Sequence, residues 1–251
     1  MGAKMAELLD MGALVTGGTS GIGRAAALAL AGLGAHVVVS GRDQARGEQV
    51  VGDIHKAGGR ADFLAADLRD EASARSLAAR ARELMGHVDV LVNNAGIYPF
   101  GPTHETSERD FDAVFALNVK APYFLVAELA PEMAERGRGA IINVTTVAAE
   151  VGMTGMGLYG ASKAALVLLT KAWAAEYGPR GVRVNAVSPG PILTEGTAAM
   201  GDDFDQLAAQ APAGRPGTAE EVAEAIAFLA TDRSSFVEGS VLPVDGGRTA
   251  V

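Results

Sequence analysis

Short runs of aliphatic and β-branched residues alternate with longer alanine-rich segments of helical period along this chain of 251 residues. Most of the runs are apolar throughout, as expected of strands whose two faces are both covered by helices. Alternation of this kind is typical of helices that cross over between parallel strands. The pattern therefore predicts an α/β fold with a doubly wound, seven-stranded parallel sheet and helices on both of its faces.

The predicted elements leave one long segment without periodicity. Strands are predicted at residues 13–16, 36–40, 62–65, 88–92, 140–145, 183–187 and 241–244, and helices at 22–33, 44–57, 72–85, 108–136, 158–177 and 219–230. Helix caps are predicted at Asp43, Asp70, Ser107 and Thr218, the last in a capping box with Glu221. No linker or repeat divides residues 1–251, so one domain is expected, with the glycine- and proline-rich segment 189–216 as a substrate lid.

Composition argues against several classes of function. The chain has no cysteine, and its histidines are scattered rather than placed at ligand spacing, so no metal site is expected. A formal net charge of −9 argues against a nucleic-acid partner, because phosphate contacts need clustered Lys and Arg. Residues 1–12 lack the apolar region of a signal peptide, and the apolar stretches fall short of the roughly 20 residues that span a bilayer. A cytoplasmic protein with no membrane partner is therefore expected.

A glycine-rich turn connects the first predicted strand to the first predicted helix. Gly17 permits the tight turn, Gly21 lets backbone amides approach a pyrophosphate, and Gly23 lets the helix pack closely on the strand. The N-terminus of the helix then favours negative charge. The alternative is a tight turn that binds nothing. We favour a dinucleotide site in a single-domain Rossmann fold, with the cofactor-binding residues Gly17, Thr19, Ser20, Gly21, Ile22 and Gly23.

The tip of the second strand bears on the choice between the two nicotinamide cofactors. NAD sites usually place a carboxylate there for the ribose 2′-hydroxyl, whereas this chain has Gly41 followed by Arg42. A guanidinium holds a 2′-phosphate through a charge-assisted fork, which favours NADP(H), with NAD(H) as the alternative. Asp43 lies too late in the sequence for the NAD role and is better placed as a helix cap.

Two later loops are predicted to line the same cofactor site. Asp67 and Leu68 follow the third strand, where the Asp67 carboxylate either accepts from the adenine amine or caps a turn. Asn94, Ala95 and Gly96 follow the fourth strand, where small residues let a loop pass close to the cofactor.

Tyr159 and Lys163 are the candidate acid and its activator. They are four residues apart on a predicted helix, so both side chains lie on one face. The neighbouring ammonium is expected to stabilise the phenolate and to lower the tyrosine pKa from about 10 toward neutrality. A pair with this spacing is often only two surface neighbours. Together with a dinucleotide site, however, a proton donor indicates hydride transfer.

Five ordered motifs resemble the short-chain dehydrogenase/reductase family over essentially the whole chain. They are the glycine turn, Asn93-Asn94-Ala95-Gly96, Tyr159-Gly160-Ala161-Ser162-Lys163, Ser188-Pro189-Gly190 with Ile192 and Thr194, and Asp245-Gly246-Gly247. The resemblance implies an oxidoreductase that moves a hydride between NAD(P) and a carbonyl or secondary alcohol, with Tyr159 as general acid and base.

The resemblance also implies roles for further residues. Asn118 is expected to interrupt the long helix and to hold a water in a proton relay behind Lys163. Thr146 stands where the family usually has a serine, and its hydroxyl is expected to polarise the substrate carbonyl. Lys163 is expected to bind the nicotinamide ribose, and further cofactor contacts are expected from Pro189, Gly190, Ile192 and Thr194.

The sequence leaves the substrate open. The pocket is predicted to be lined by Tyr98, Val147, Met153 and Met156. The resemblance is closest to 3-oxoacyl-carrier-protein reductases, which favours an NADPH-dependent ketoreductase acting on a small molecule. A sugar, polyol or steroid alcohol dehydrogenase is the alternative, and a non-catalytic dinucleotide sensor or scaffold is the alternative of another class. The family's common homotetramer is expected as well.

Overall fold

A seven-stranded parallel sheet organises residues 7–251, which are the residues described by a computed structural model. Its strands are β1 (Gly12–Thr16), β2 (His36–Gly41), β3 (Arg60–Ala65), β4 (Val90–Asn93), β5 (Gly139–Val144), β6 (Val182–Pro189) and β9 (Val241–Val244). The order is β3-β2-β1-β4-β5-β6-β9, with every neighbouring pair parallel. The predicted doubly wound Rossmann sheet is confirmed, and its order reverses between β1 and β4, where such folds bind ligands. Residues 1–6, part of the segment expected to lack a signal peptide, lie outside the described range.

Helices cover both faces of this sheet. They are α1 (Gly21–Gly32), α2 (Gln44–Lys56), α3 (Glu71–Met85), α4 (Glu108–Phe115), α5 (Ala121–Glu135), α6 (Gly157–Tyr177), α7 (Asp202–Ala208) and α8 (Ala219–Ala230). One core lies between the sheet and α1, α2 and α8, and the other lies between the sheet and α3, α5 and α6. Strand β1 contributes side chains to both cores, since Ala13 and Val15 face the first core and Leu14 faces the second. Burial on both faces explains why the strands are apolar throughout.

The predicted helix caps are confirmed. The Asp43 carboxylate accepts from the Arg46 amide at 3.0 Å, and Asp70 accepts from the Ser73 amide at 2.8 Å. Ser107 caps α4, and Thr218 forms the predicted capping box with Glu221. Helix α1 differs from these four helices, because its N-cap residue Ser20 makes no side-chain hydrogen bond to the helix.

The long helix predicted at 108–136 is interrupted, as the family resemblance implied. Helix α4 ends at Phe115, and a π-helical turn, Ala116–Lys120, connects it to α5. Glu108–Glu135 is the one stretch in the described residues that is long and apolar enough to span a bilayer, and 44% of its apolar window is buried inside the protein. A buried core helix meets the same criterion of length and composition, so this stretch is weak evidence for a membrane span.

The predicted lid segment 189–216 is more ordered than its sequence suggests. It contains β7 (Ile192–Leu193), which pairs in parallel with β8 (Gly217–Thr218), and the short helix α7. Phe204 and Ala211 are buried. Strands of two residues and a helix of seven are too short to produce a periodic signal. The segment is therefore folded, and its function as a substrate lid remains a prediction.

Candidate active site

The glycine turn between β1 and α1 is crowded to the point that side chains are excluded. Gly17 and Gly21 have positive φ angles of 62° and 49°. A Cβ atom on Gly23 would lie 2.2 Å from the Gly17 carbonyl oxygen and 2.4 Å from Nδ2 of Asn94. Gly23 therefore permits the close approach of helix to strand predicted for it. The turn presents the first amides of α1 at the carboxyl end of the sheet, as dinucleotide sites require.

Asn94 holds this turn in place from the end of β4. Its Nδ2 donates to the carbonyl oxygens of Thr16 and Gly17 at 2.9 and 3.1 Å. In return, Oγ1 of Thr16 accepts from the amides of Asn94 and Ala95 at 3.0 and 3.1 Å. The asparagine motif thus fixes the shape of the glycine turn. Sequence reasoning placed Asn94 and Ala95 at the site but missed Thr16, whose hydroxyl at a strand end was the available signal.

The tip of β2 offers a cation and no free carboxylate beside the turn. Arg42 is exposed, and Thr19 packs against Gly41, where a Cβ atom would lie 2.6 Å from Thr19 Cγ2. Asp43 is occupied as the cap of α2.

The two residues predicted after β3 have different surroundings. The Asp67 carboxylate accepts from Nε of Arg69 at 2.5 Å, so it is already paired. Leu68 is 6% exposed and belongs to the core on the α3 side of the sheet. Their contacts with a cofactor remain predictions.

Lys163 is buried beneath the opposite side of the cleft. Its side chain is 3% exposed, and Nζ donates to the Val144 carbonyl oxygen at 2.7 Å. Burial lowers the pKa of Lys163 to about 8, because a low-dielectric surrounding disfavours the ammonium form. The ammonium has two further donors for other partners. A Cβ atom on Gly96 would lie 3.4 Å from Nζ, so the loop after β4 passes close to the lysine amine.

Tyr159 lies one turn earlier on α6 and corrects one sequence expectation. Its pKa is raised to about 12 rather than lowered, because burial disfavours the phenolate. The hydroxyl of Thr146 acts in the opposite direction, and the phenol of Tyr98 adds to the increase. Loss of hydration therefore outweighs the hydrogen bond with Thr146. A phenol with this pKa stays protonated at neutral pH, which suits a proton donor.

Asn118 connects the loop after β4 to α6. Its Oδ1 accepts from the Ile97 amide at 3.0 Å, and its Nδ2 donates to the Ile97 carbonyl oxygen at 2.9 Å. The same Nδ2 donates to Oγ of Ser162 at 3.0 Å, and Ser162 in turn donates to the Tyr159 carbonyl oxygen at 2.7 Å. The π-helical turn thus places a fully buried amide between the loop and the helix that carries the acid. The water that the resemblance assigns to Asn118 is a prediction.

Thr146 and Tyr98 are both neighbours of the Tyr159 phenol. Thr146 follows β5, and its Oγ1 accepts from the Ala148 amide at 3.3 Å, which orients the hydroxyl. Val147, the next residue, is 5% exposed. The rings of Tyr98 and Tyr159 meet edge to face with centroids 6.0 Å apart. These contacts place Tyr98 beside the candidate acid, as predicted for a pocket residue.

Met153 and Met156 are not brought to the same place. They line a cavity together with residues of α6, namely Gly157, Gly160, Ala161 and Ala164. With about 3.6 residues per turn, those four positions lie on the face of α6 turned away from Tyr159 and Lys163. The cavity that holds the two methionines is thus separate from the phenol, and their place in the substrate pocket stays a prediction.

The segment after β6 approaches the glycine turn from the other side. A Cβ atom on Gly190 would lie 2.8 Å from Cα of Asp245, so the segment passes directly against the Asp-Gly-Gly motif. Ile192 is 6% exposed in β7, and Thr194 packs on Gly21. Glu195, which sequence reasoning missed, accepts a hydrogen bond from the Gly21 amide. No motif signals this contact, because it joins positions far apart in sequence.

These residues form one cleft at the carboxyl end of the sheet, with an anion-binding turn on one side and a proton donor on the other. Within residues 7–251, no group of three or more acidic or histidine side chains is arranged to hold a metal ion. The arrangement can bind a dinucleotide and deliver a proton to a carbonyl oxygen near it.

Comparison with known proteins decides the family. The family described as enoyl-(acyl carrier protein) reductase matches residues 17–249. A solved structure of a short chain dehydrogenase/reductase family protein is 51% identical, has a TM-score of 0.91 and covers 98% of this chain and 100% of its own. The chain belongs to the short-chain dehydrogenase/reductase family. It is therefore an oxidoreductase of the class that interconverts alcohols and carbonyl compounds with NAD(P).

Two further relatives of this short-chain dehydrogenase/reductase illustrate the range of the family. Cis-4-hydroxycyclohexanecarboxylate dehydrogenase from Sinomonas cyclohexanicum is 42% identical over 100% of both chains. A gluconate 5-dehydrogenase from Burkholderia cenocepacia J2315, crystallised in complex with NADP and tartrate, is 33% identical with a TM-score of 0.92 and 99% coverage of both chains. These relatives differ in the substrates that their names state, so family membership does not identify the substrate of this chain.

Proposed function

We propose that the protein is an NADPH-dependent ketoreductase, which reduces the carbonyl group of a small molecule to a secondary alcohol and catalyses the reverse oxidation. The observation that carries the proposal is the convergence of Tyr159, Thr146 and Lys163 at the cleft that adjoins the glycine turn. A protonated phenol, a hydroxyl and a buried amine are the groups that this chemistry needs.

In the proposed mechanism, the hydroxyls of Tyr159 and Thr146 hold the carbonyl oxygen of the substrate. A nicotinamide cofactor, when bound, would supply the hydride for the carbonyl carbon. Tyr159 donates its proton to the oxygen, so that alkoxide charge does not accumulate without a partner. Lys163 is charged below its pKa of about 8 and stabilises the phenolate that remains. For alcohol oxidation the same phenolate accepts the proton.

The chain's own residues hold the proposed cofactor in a fixed frame. The glycine turn and the N-terminus of α1 would bind the pyrophosphate, and Lys163 would donate to the nicotinamide ribose. Ile192 and Thr194 would hold the carboxamide. Asn118 positions the loop after β4 through its hydrogen bonds to Ile97 and fixes α6 through Ser162.

A carbonyl panel tests the proposed activity. Purified protein and NADPH are incubated with cyclohexanone, a 3-oxoacyl thioester, a keto sugar acid and a steroid ketone, and the absorbance of reduced nicotinamide is followed. We expect at least one ketone to be reduced. Tight binding of NADPH without turnover of any ketone would instead favour the non-catalytic sensor, whereas turnover of the sugar acid or steroid alone would favour the alternative dehydrogenases.

The preference for NADPH is proposed to depend on Arg42. A charge-assisted hydrogen bond is worth roughly 1.5–3 kcal/mol, so Arg42→Ala is expected to weaken NADPH binding by about 10- to 100-fold. The Kd of NADH should stay within about twofold, because that cofactor lacks the 2′-phosphate. Calorimetric titration measures both constants.

The control for this substitution is Arg46→Ala, which removes an exposed arginine that pairs with Asp43 on α2. It should leave both cofactor constants unchanged. An equal loss of NADPH and NADH binding in Arg42→Ala would contradict selection through the 2′-phosphate.

The proposed assembly is a homotetramer. Exposed apolar side chains on α4, α5 and α6 support it, namely Phe111, Tyr123 and Leu168. Such side chains on neighbouring helices suit pairing with a second copy of the same surface.

A further inference from the structure

The carboxylate of Glu195 lies against the first amide of α1. The Gly21 amide donates to Oε2 of Glu195 at 3.0 Å, a contact between residues 174 positions apart. Thr194 packs against the same glycine, since a Cβ atom on Gly21 would lie 3.2 Å from Thr194 Cγ2. The segment after β7 therefore touches the glycine turn at an amide that the turn would present to a pyrophosphate.

Helix α1 has no anionic acceptor of its own at this end. Its N-cap residue Ser20 makes no side-chain hydrogen bond, and its first turn contains no acidic residue. The first amides of a helix have no partner within the helix, and the N-terminus carries partial positive charge. The Glu195 side chain supplies the negative charge that this position favours.

The backbone around Glu195 is held by a local hydrogen-bond network. Oγ1 of Thr197 donates to the Ile192 carbonyl oxygen at 2.8 Å and accepts from the Thr194 amide at 2.9 Å. The pairing of β7 with β8 anchors the start of the segment. The carboxylate is therefore presented by a folded turn.

The arginine in the same cavity is engaged elsewhere. Arg24 lines the same cavity as Glu195, but its Nη2 donates to Asp53 at 3.0 Å. That hydrogen bond holds the pKa of Asp53 below its usual value. Within the part of the chain that the structure describes, the hydrogen bond recorded for the Glu195 carboxylate is the one from Gly21.

We infer that Glu195 is an internal competitor of the cofactor, because its carboxylate occupies part of the pyrophosphate position and must leave when a dinucleotide binds. The inference rests on the dinucleotide binding proposed above. Two anions cannot share one amide at hydrogen-bond distance, and their repulsion in a partly enclosed cleft is unfavourable. Cofactor binding is thereby coupled to release of the Glu195 carboxylate from the Gly21 amide, and the measured affinity is lower than it would be without this contact.

Calorimetric titration of NADPH into variants tests the inference. A charge at a helix N-terminus contributes an amount that corresponds to about two- to fivefold in affinity, so Glu195→Gln and Glu195→Ala are expected to bind NADPH tighter by that factor. ADP-ribose, which contains the pyrophosphate, should show the same gain. Adenosine 2′-monophosphate, which lacks it, should show none.

The matched control is Glu220→Gln, since Glu220 lines the same cavity and is not the acceptor for the Gly21 amide. It should bind NADPH as the wild type does. An equal gain in this control would show that net charge, and not the contact, is responsible.

Hydrogen–deuterium exchange provides a readout that needs no cofactor. In the free protein, Glu195→Ala should exchange the amides of residues 17–24 faster than the wild type. Unchanged exchange together with unchanged or weaker NADPH binding would overturn the inference. Failure of the wild type to bind NADPH at all would instead overturn the proposed function.

Discussion

Replacing Tyr159 by Phe is expected to lower kcat by about 10²- to 10⁴-fold, the range typical of losing a general acid. The substitution removes the proton donor and keeps the ring, so the edge-to-face contact with Tyr98 is preserved. NADPH should bind within about twofold of the wild type, because the phenol oxygen is one contact among many. The measurements are steady-state reduction of the fastest ketone in the panel and calorimetric titration of NADPH.

The control is Tyr177→Phe, which makes the same chemical change at the far end of α6, where Tyr177 packs under Arg180. This variant should retain wild-type kcat. If Tyr159→Phe kept a comparable kcat, the proton would have to come from another group, and the assignment of Tyr159 would be wrong.

Replacing Lys163 by Met is expected to separate activity from stability. The ammonium that stabilises the phenolate is lost, so kcat should fall by about 10²- to 10³-fold, as for other preorganised electrostatic contacts. The free energy of unfolding should not fall in parallel, because the wild type buries the Lys163 ammonium. Within the described residues, its hydrogen bond is the one to the Val144 carbonyl oxygen. An apolar side chain of similar length removes that unfavourable burial.

The lowered pKa of Lys163 makes the free energy of unfolding increase with pH. Burial lowers the pKa of Lys163 from its ordinary value of 10.5 to about 8 in the folded protein, so below pH 8 the lysine is charged in both states. Between about pH 8 and 10.5 the unfolded state binds more protons, and wild-type stability should rise relative to Lys163→Met. A shift of this size corresponds to roughly 3 kcal/mol. Urea unfolding of both proteins across that range measures the difference.

Lys171→Met provides the comparison, because Lys171 is exposed on the same helix. The stability difference between it and the wild type should not change over the same pH range. A Lys163→Met protein with a constant stability difference from the wild type across that window would show that the buried amine carries no such penalty.

The fold could be predicted from the sequence because its signals are local. Apolar runs, helix caps such as Asp43 and Thr218, and the glycine turn each depend on residues a few positions apart. The alternation of strands and helices then restricts the topology strongly, since parallel strands need crossover helices. The spacing of Tyr159 and Lys163 indicated a shared helix face for the same reason, and both residues lie on α6.

The features that sequence reasoning missed depend on contacts between distant segments. The raised pKa of Tyr159 follows from burial by surrounding elements, and the motif alone suggested a lowered one. The contact of Glu195 with Gly21 and the hydrogen bonds of Asn94 to Thr16 join segments that are far apart in sequence. Met153 lines a cavity against α6 because the preceding loop runs along that face of the helix. The spacing of residues within the loop does not determine which face it follows.

The most direct test of the central claim follows a single hydrogen atom. NADPH deuterated at one face of nicotinamide C4 is incubated with the protein and the ketone that it reduces fastest, and the product is analysed by mass spectrometry and NMR. The account predicts one deuterium on the carbinol carbon for one of the two labelled faces, with Tyr159→Phe forming far less of this product in the same time. Product without deuterium at that carbon from both labelled cofactors would contradict direct hydride transfer, and equal product from Tyr159→Phe would contradict the role of the phenol.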